Sequence, residues 1–470
     1  MRQPDYTYHF DDLEDAYSPV RCIASASKGV ADTCFVRVDD SQVAARLQRC
    51  LPGHLADCVD LAVAVAVADR LSLRRNDSSC HIQIILPLRY PERFKAFGVI
   101  QQLESVLYWY THDHWSFEFL PRERIGRLAE RQLFLFSSDI ELPRETALWS
   151  GGLDSLAGLY SRISCSRAKH FLLVGTGMNT QMFHTQRQAA HEIASLFPGD
   201  TTLVQIPYGI RETKELQKHS LQRSRGFVFL LIGAVCAVLQ GFSSLALYEN
   251  GIGAMNLPYC DAEVGLDHSL SVHPLSLLRM EEFISQLLGT TFTLHNPFLF
   301  QTKAEMCQAL LTSQNWEQLV LATFTCDRPH RDHPQQCGYC SSCLLRRQAL
   351  AALKVEDPTQ YVITTLLSSE RTIRPSDGDY LRAMHAQIET FRTCLQASDP
   401  WEALSTNFTS LAAIVDELHA AKGMVQNLVI EQLTGLYTRY VQEWEYASPG
   451  EGIEMSEGNR PRRGVALKGD

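Results

Sequence analysis

The stretch Ala147-Leu148-Trp149-Ser150-Gly151-Gly152-Leu153-Asp154-Ser155 decides how this chain is read. A short apolar run suited to a buried strand stops at two glycines. It restarts as Leu156-Ala157-Gly158-Leu159-Tyr160, which suits a helix. Strand, tight turn and helix in that order leave unpaired backbone N–H groups at the helix start. Together with the positive end of the helix dipole, those donors make an anion site. Gly151 and Gly152 let the backbone approach a phosphate and accept positive φ without strain. The hydroxyls of Ser150 and Ser155 add donors. Asp154 repels bare phosphate, so it either caps the helix or acts through a metal ion. The competing reading is a plain glycine turn with a Ser/Asp cap. No Walker lysine follows the glycines, which argues against γ-phosphate transfer.

Outward from this stretch, strand and helix patterns alternate. Strands are expected at Ala147–Trp149, His170–Val174, Thr202–Ile206, Leu245–Tyr248 and Thr291–His295, with helices at Thr185–Phe197 and Gly226–Leu239. This predicts an α/β fold with a doubly wound parallel sheet over residues 146–352. Ligands of such sheets lie beyond the carboxyl ends of the strands. That rule gathers residues 150–155, Gly175-Thr176-Gly177 and Glu249-Asn250 around one crevice.

Residues 1–145 predict an accessory α+β domain. It has helices at Ala56–Arg75 and Val99–Tyr110, a strand at His81–Pro87 ended by its proline, and strands at Trp115–Phe119 and Gln132–Ser138. Asp57, Asp60, Asp69 and Arg70 fall at the margins of the first helix's apolar face. His112, Asp113 and His114 are adjacent and point in different directions, so they read as a loop rather than a metal site. Residues 353–446 are mostly helical. Ala412–His419 and Met424–Trp444 are amphipathic and suited to packing on another domain or a partner. Residues 447–470, rich in Gly, Pro, Arg and Glu, predict a disordered tail.

Cys326 is followed, ten residues on, by Cys337-Gly338-Tyr339-Cys340-Ser341-Ser342-Cys343. Two thiolates at Cys-x-x-Cys spacing face one ion, and the other two close a tetrahedron, as a structural Zn²⁺ requires. An iron–sulfur cluster is chemically open to the same four thiolates, and free buried thiols are the third option. His330 and His333 in the intervening loop are either solvated or stand in for a cysteine. Thr302-Lys303-Ala304-Glu305 opens a helix after Asn296-Pro297. It is an ordinary cap or, given its place just before the cysteines, a functional one.

The chain has 470 residues, a formal charge of −10 and 14 cysteines. That length allows two or three domains. The acidic balance disfavours non-specific nucleic-acid binding, which needs clustered Lys and Arg. Residues 1–15 are polar and acidic, unlike a signal peptide. The longest apolar run, Phe227–Leu239, is too short to span a bilayer. Scattered cysteines without a secreted scaffold's spacing point to a reducing cytoplasm and no membrane.

The loop Ser150-Gly151-Gly152-Leu153-Asp154-Ser155 resembles the SGGxDS pyrophosphatase loop of the ATP-pyrophosphatase superfamily. That loop, the segment Asn296-Pro297 to Glu305, and the cluster Cys337 to Arg346 occur in one order. The combination resembles the 7-cyano-7-deazaguanine synthases of the queuosine pathway over roughly residues 146–352. Ser224-Arg225-Gly226 stands where that family has Ala-Arg-Asn, and Gly175-Thr176-Gly177 where it has Asp-Tyr-Gly. The resemblance implies that ATP adenylates a 7-carboxy-7-deazaguanine, releasing pyrophosphate, and that an amine then displaces AMP. It implies that residues 150–155 and Gly175 bind ATP, with Asp154 placing Mg²⁺. Lys303 would neutralise charge at the α-phosphate or the carboxylate; Asp154 and Lys303 are thus the expected catalytic pair. Arg225, Glu249 and Asn250 would face the deazaguanine base, and Cys326, Cys337, Cys340 and Cys343 would hold Zn²⁺.

The long flanks resemble the synthase-like components of bacterial antiphage operons of the Qat and type IV CBASS groups. There the implied acceptor is the N-terminal amine of a partner protein from the same operon, in a heterocomplex or beside a homodimer. Three rival readings stand beside this one. They are a free nitrile synthase using ammonia, a tRNA-modifying pyrophosphatase (which calls for a basic RNA-binding domain) and a non-catalytic scaffold retaining the fold.

Overall fold

The computed structural model describes residues 3–12, 20–26, 31–74, 79–122, 127–131, 145–165, 170–212, 218–219, 222–259, 270–327, 335–363 and 379–447. The expected strand at Gln132–Ser138, the tail beyond residue 447, and His330 and His333 lie outside them.

Among the described residues ten strands form one sheet: β1 (Tyr6–Asp12), β2 (Val20–Ala26), β3 (Ala31–Val38), β4 (His81–Leu88), β5 (His114–Pro121), β6 (Glu145–Leu148), β7 (Phe171–Gly177), β8 (Thr201–Glu212), β9 (Ser244–Ala246) and β10 (Thr293–His295). Their order is β10-β9-β6-β7-β8-β3-β2-β1-β4-β5. The five strands from β6 onward are mutually parallel. Numbered within themselves they run 5-4-1-2-3, a doubly wound arrangement whose strand order reverses between β6 and β9. The reversal opens a crevice beyond the carboxyl ends of those two strands.

β8 runs six residues past the expected Ile206. Residues 201–207 pair in parallel with β7, and residues 208–212 pair antiparallel with β3. Pro207 and Gly209 read locally as a strand end. Instead, Pro207 sits at the handover, the last residue paired with β7, where its missing N–H is tolerated. The outer flank of the first half is covered without a strand. Gln205 N–H donates to Gln42 Oε1 at 3.0 Å, and Asp39 N–H donates to the Pro207 carbonyl at 2.8 Å. Pro87 likewise lies inside β4 rather than ending it. Pairing with β1 stops at Ile85, and β4 runs on against β5 alone. Gly175-Thr176-Gly177, beyond the expected strand end at Val174, completes β7.

Helix Gly53–Leu71 is buried on every side, packed on helix Arg225–Leu239 in one core with β4, β5 and helix Pro274–Leu288. Asp57, Asp60 and Asp69 are therefore buried, not marginal. Buried carboxylates must be paired, and they are. Arg89 reaches Asp57 (3.0 Å), Asp60 and Glu130, and Arg122 reaches Asp60 at 3.0 Å. Arg127 spans Asp40 at 2.6 Å and Asp60. Arg74 spans Asp69 at 2.7 Å and Asp113, so Asp113 of the His112–His114 loop is structural. Burial pushes the Asp60 carboxyl up, and the guanidiniums of Arg127, Arg89 and Arg122 overcome it, holding it at about 2.

The C-terminal helices Asp379–Leu395, Pro400–Asn407, Ser410–Lys422 and Gln426–Ala447 form a second core with Met255, Leu275 and Leu344. Among the described residues no helix is long and apolar enough to cross a membrane.

Truncating Arg127 takes a guanidinium partner from two buried carboxylates, Asp40 and Asp60. Arg127→Ala is expected to cost about 3–5 kcal/mol in denaturant unfolding at pH 7. Because the Asp60 pKa is depressed, its contribution is whole above the ordinary carboxylate range. It is lost as pH falls from about 4 towards 2, so the gap between wild type and variant should narrow there.

Candidate functional site

The glycine bend is locked by its surroundings. Trp149, buried after β6, donates its backbone N–H to the Val174 carbonyl at 2.8 Å and its indole N–H to the Gln186 carbonyl at 2.9 Å. Gly151 has φ +75°, and a Cβ there would lie 2.9 Å from the Gln186 nitrogen. Conformation and space both require glycine. Helix Leu153–Cys165 follows, its first bond running from Leu156 N–H to the Gly152 carbonyl at 3.1 Å. The N–H groups of Leu153, Asp154 and Ser155 precede that bond and stand at the positive helix end. Ser150 Oγ lies 2.8 Å from Ser155 Oγ and accepts from Gly152 N–H at 3.1 Å. Two hydroxyls and a run of amides thus share one concave turn.

Three ionisable groups meet below this turn. Lys303 Nζ pairs with Asp154 Oδ2, and both side chains are buried. Glu249, three residues beyond β9, adds a second carboxyl. Burial first, then the neighbouring Asp154 charge, raise the Glu249 pKa well above the usual range, against the opposing pull of Lys303. Burial works against the Lys303 ammonium, yet Asp154 and Glu249 outweigh it and hold its pKa above the ordinary lysine value. Asp154 Oδ1 is buried without a hydrogen-bond partner. An orphan carboxylate oxygen beside a second carboxyl is the oxygen-only donor set that Mg²⁺ takes.

Each member is fixed from behind. Asn296 donates Nδ2 to the Glu249 carbonyl at 2.7 Å and accepts from the Glu249 N–H at 3.4 Å. Asn250 Nδ2 donates to Glu249 Oε1 at 2.9 Å, while its Oδ1 caps Gly253 N–H at 2.9 Å. Thr302 and Glu305 form a reciprocal capping box at the start of helix Lys303–Gln308. The ordinary-cap reading of this segment is therefore met. The cap sets the backbone, and Lys303 faces Asp154.

The structure brings Ser150–Ser155, Glu249, Asn250 and Lys303 together. Gly175 lies beside them on β7, where a Cβ would fall 2.2 Å from Gln186 Oε1. Its lack of a side chain makes room for the Gln186 amide. Arg225 is exposed at the start of its helix, its guanidinium 5.7 Å from the Phe229 ring centre. Among the described residues, no hydrogen bond or ion pair joins it to Asp154, Glu249 or Lys303. Gln186 and Asn296 support the bend and Glu249. Gln186 carried no motif, whereas the Asn-Pro before the Lys303 helix was the signal for Asn296.

Cys326, Cys337, Cys340 and Cys343 are buried with their sulfurs all within 4.8 Å of one another. Four thiolates at about 2.3 Å from one tetrahedral Zn²⁺ stand about 3.8 Å apart. Cys337–Cys343 and Cys340–Cys326 are at 3.8 and 4.0 Å. The donor set fits the ion. Gly338, at φ +87°, turns the Cys337–Cys340 knuckle under the Ile363 carbonyl, where a Cβ would lie 2.3 Å away. Arg346, fully buried, ties Thr323, Thr325, Thr359 and the Val320 carbonyl together at 2.7–3.2 Å. The cluster also touches the bend, because Phe324 N–H donates to the Gly151 carbonyl at 3.2 Å.

Comparison with known proteins bears on the same region. The family model for queuosine biosynthesis protein QueC matches residues 199–354. The chain is QueC-like there. Over 229 residues it is 27% identical to a 7-cyano-7-deazaguanine synthase of Magnetococcus marinus, covering 46% of this chain and 95% of that protein. The same-named protein of Acinetobacter baylyi is 22% identical over 234 residues, 47% of this chain and 96% of its own. For that of Methylobacillus flagellatus the figures are 25% over 141 residues, 30% of this chain, and the chain spans 57% of the relative's length. Each of the two longer matches leaves about half of this chain uncovered.

If the four sulfurs hold zinc, elemental analysis of the purified protein should find about one zinc per chain. Cys340→Ser should lower that figure and the unfolding temperature together.

Proposed function

We propose that this protein adenylates a 7-deazaguanine carboxylate with ATP and passes the acyl group to an amine, the N-terminus of a partner protein encoded beside it. The observation that carries the reading is the buried Asp154–Lys303–Glu249 group beneath a glycine bend at the strand-order reversal.

In this reading the amides of residues 153–155 and the hydroxyls of Ser150 and Ser155 hold the β- and γ-phosphates. A carboxylate oxygen of the substrate attacks the α-phosphorus, the bond to the bridging oxygen breaks, and pyrophosphate leaves. Lys303 stabilises the charge gathered at the α-phosphoryl oxygens. Asp154 Oδ1 and Glu249 would hold Mg²⁺, which supplies further neutralisation of the leaving phosphates when bound. The amine then attacks the acyl carbon, AMP departs and the amine gives up a proton. QueC-type relatives support deazaguanine chemistry with ATP. The flanks, which those relatives lack, favour a macromolecular acceptor within an antiphage system. A second reading, free 7-cyano-7-deazaguanine synthesis from ammonia, is favoured by the near-complete coverage of two synthases.

The protein incubated with ATP, Mg²⁺ and 7-carboxy-7-deazaguanine is expected to form AMP and pyrophosphate. Asp154→Asn or Lys303→Ala should slow this about 10²–10³-fold, as for loss of an electrostatic stabiliser. Intact mass of the co-expressed neighbour protein then separates the readings. A deazaguanine acyl adduct supports conjugation, whereas an unmodified neighbour with nitrile formed from ammonium supports the synthase. No AMP under any condition would sink both.

A further inference from the structure

Helix Gln426–Ala447 lies outside the QueC-like segment, yet it reaches the cap that precedes Lys303. Two of its side chains, four residues apart and so on one face, grip the two halves of the box that caps the Lys303 helix. Glu443 accepts from the Thr302 hydroxyl and, through its other oxygen, from Gln348 Nε2 at 3.1 Å. Arg439 pairs with Glu305 at 2.7 Å, off the N–H axis, and donates Nη2 to the Phe300 carbonyl at 2.8 Å. The other Glu305 oxygen accepts the Thr302 N–H at 2.8 Å, and Thr302 Oγ1 accepts the Glu305 N–H at 3.1 Å. A cap needs neither outside partner to form. What the two contacts add is a fixed place for the cap relative to helices Ser341–Ala352 and Gln426–Ala447, and Lys303 is the first residue after it.

We infer that Glu443 and Arg439 are positioning residues which hold Lys303 against Asp154. The C-terminal helix is then a working part of the site rather than an appended layer. The inference rests on the adenylation reading for its kinetic consequence, not for its structural one. Burial raises the Glu443 carboxyl to about 7. Glutamine, which keeps an acceptor for Thr302 and a polar contact for Gln348, is the conservative replacement.

The test compares wild type, Glu443→Ala and Glu443→Gln as full-length proteins. It measures AMP formation from ATP with 7-carboxy-7-deazaguanine, and amide hydrogen exchange of residues 303–308 and 341–352. Glu443→Ala is expected to lower kcat at least about tenfold with KM for ATP within about twofold, as for a misplaced catalytic group. It should also speed exchange in 303–308 alone, and Glu443→Gln should restore both. Wild-type rate and exchange in Glu443→Ala overturn the inference, and so does equal loosening of 341–352, which marks a general packing role. If Glu443→Ala does not fold, Arg439→Gln at the more exposed end of the grip is read by the same criteria. If wild type forms no AMP, the adenylation reading has failed and the exchange pattern alone decides this one.

Discussion

An ammonium and two carboxyls share one buried space, and much of the chain around them follows from that. Inside a protein the attraction between Lys303 and Asp154 is several times what water would allow, and so is the repulsion between Asp154 and Glu249. Neither can be left to side-chain wandering. The strand-order reversal brings β6 and β9 together, so residues that leave those strands must converge. Asn296 clamps the backbone of Glu249 at both ends, and the capping box sets where Lys303 begins. The remaining imbalance is one negative charge, which asks for a proton or a cation.

The amino-terminal part solves a related problem differently. Its buried acids meet guanidiniums in a paired network around helix Gly53–Leu71, with no orphan carboxylate oxygen among the described residues there. Such networks add little net stability over apolar packing, yet they are severe about register. Asp69 illustrates the use. Besides Arg74, it accepts from the Ser224 N–H and hydroxyl at 2.9 and 2.8 Å, so this helix fixes where helix Arg225–Leu239 starts. Gly226 fits closely there, a Cβ falling 2.6 Å from Ser271 Cα.

What could be read from the sequence follows how local each cause is. The bend at Gly151, the Thr302 cap and the cysteine knuckle are written in residues a few places apart, and all three stand where expected. Glu249 was reachable because strand ends have a rule of their own. The second half of β8 was not, since Pro207 and Gly209 say stop and only β3, far away in the chain, says continue. Asp57 and Asp60 looked like the rim of an amphipathic helix because their arginines lie beyond residue 88. Gln186 and Glu443 left no trace, as each acts through a backbone or hydroxyl that any sequence could offer.

β8 changes partner half-way, and this binds the fate of the two halves. A gene fragment beginning near residue 145 would carry all the strands that border the crevice. It would also carry residues 208–212 with one flank bare, and Gln205 without its cover. Bare flanks recruit strands from other molecules. The amino-terminal segment therefore covers a border that the parallel strands cannot close for themselves.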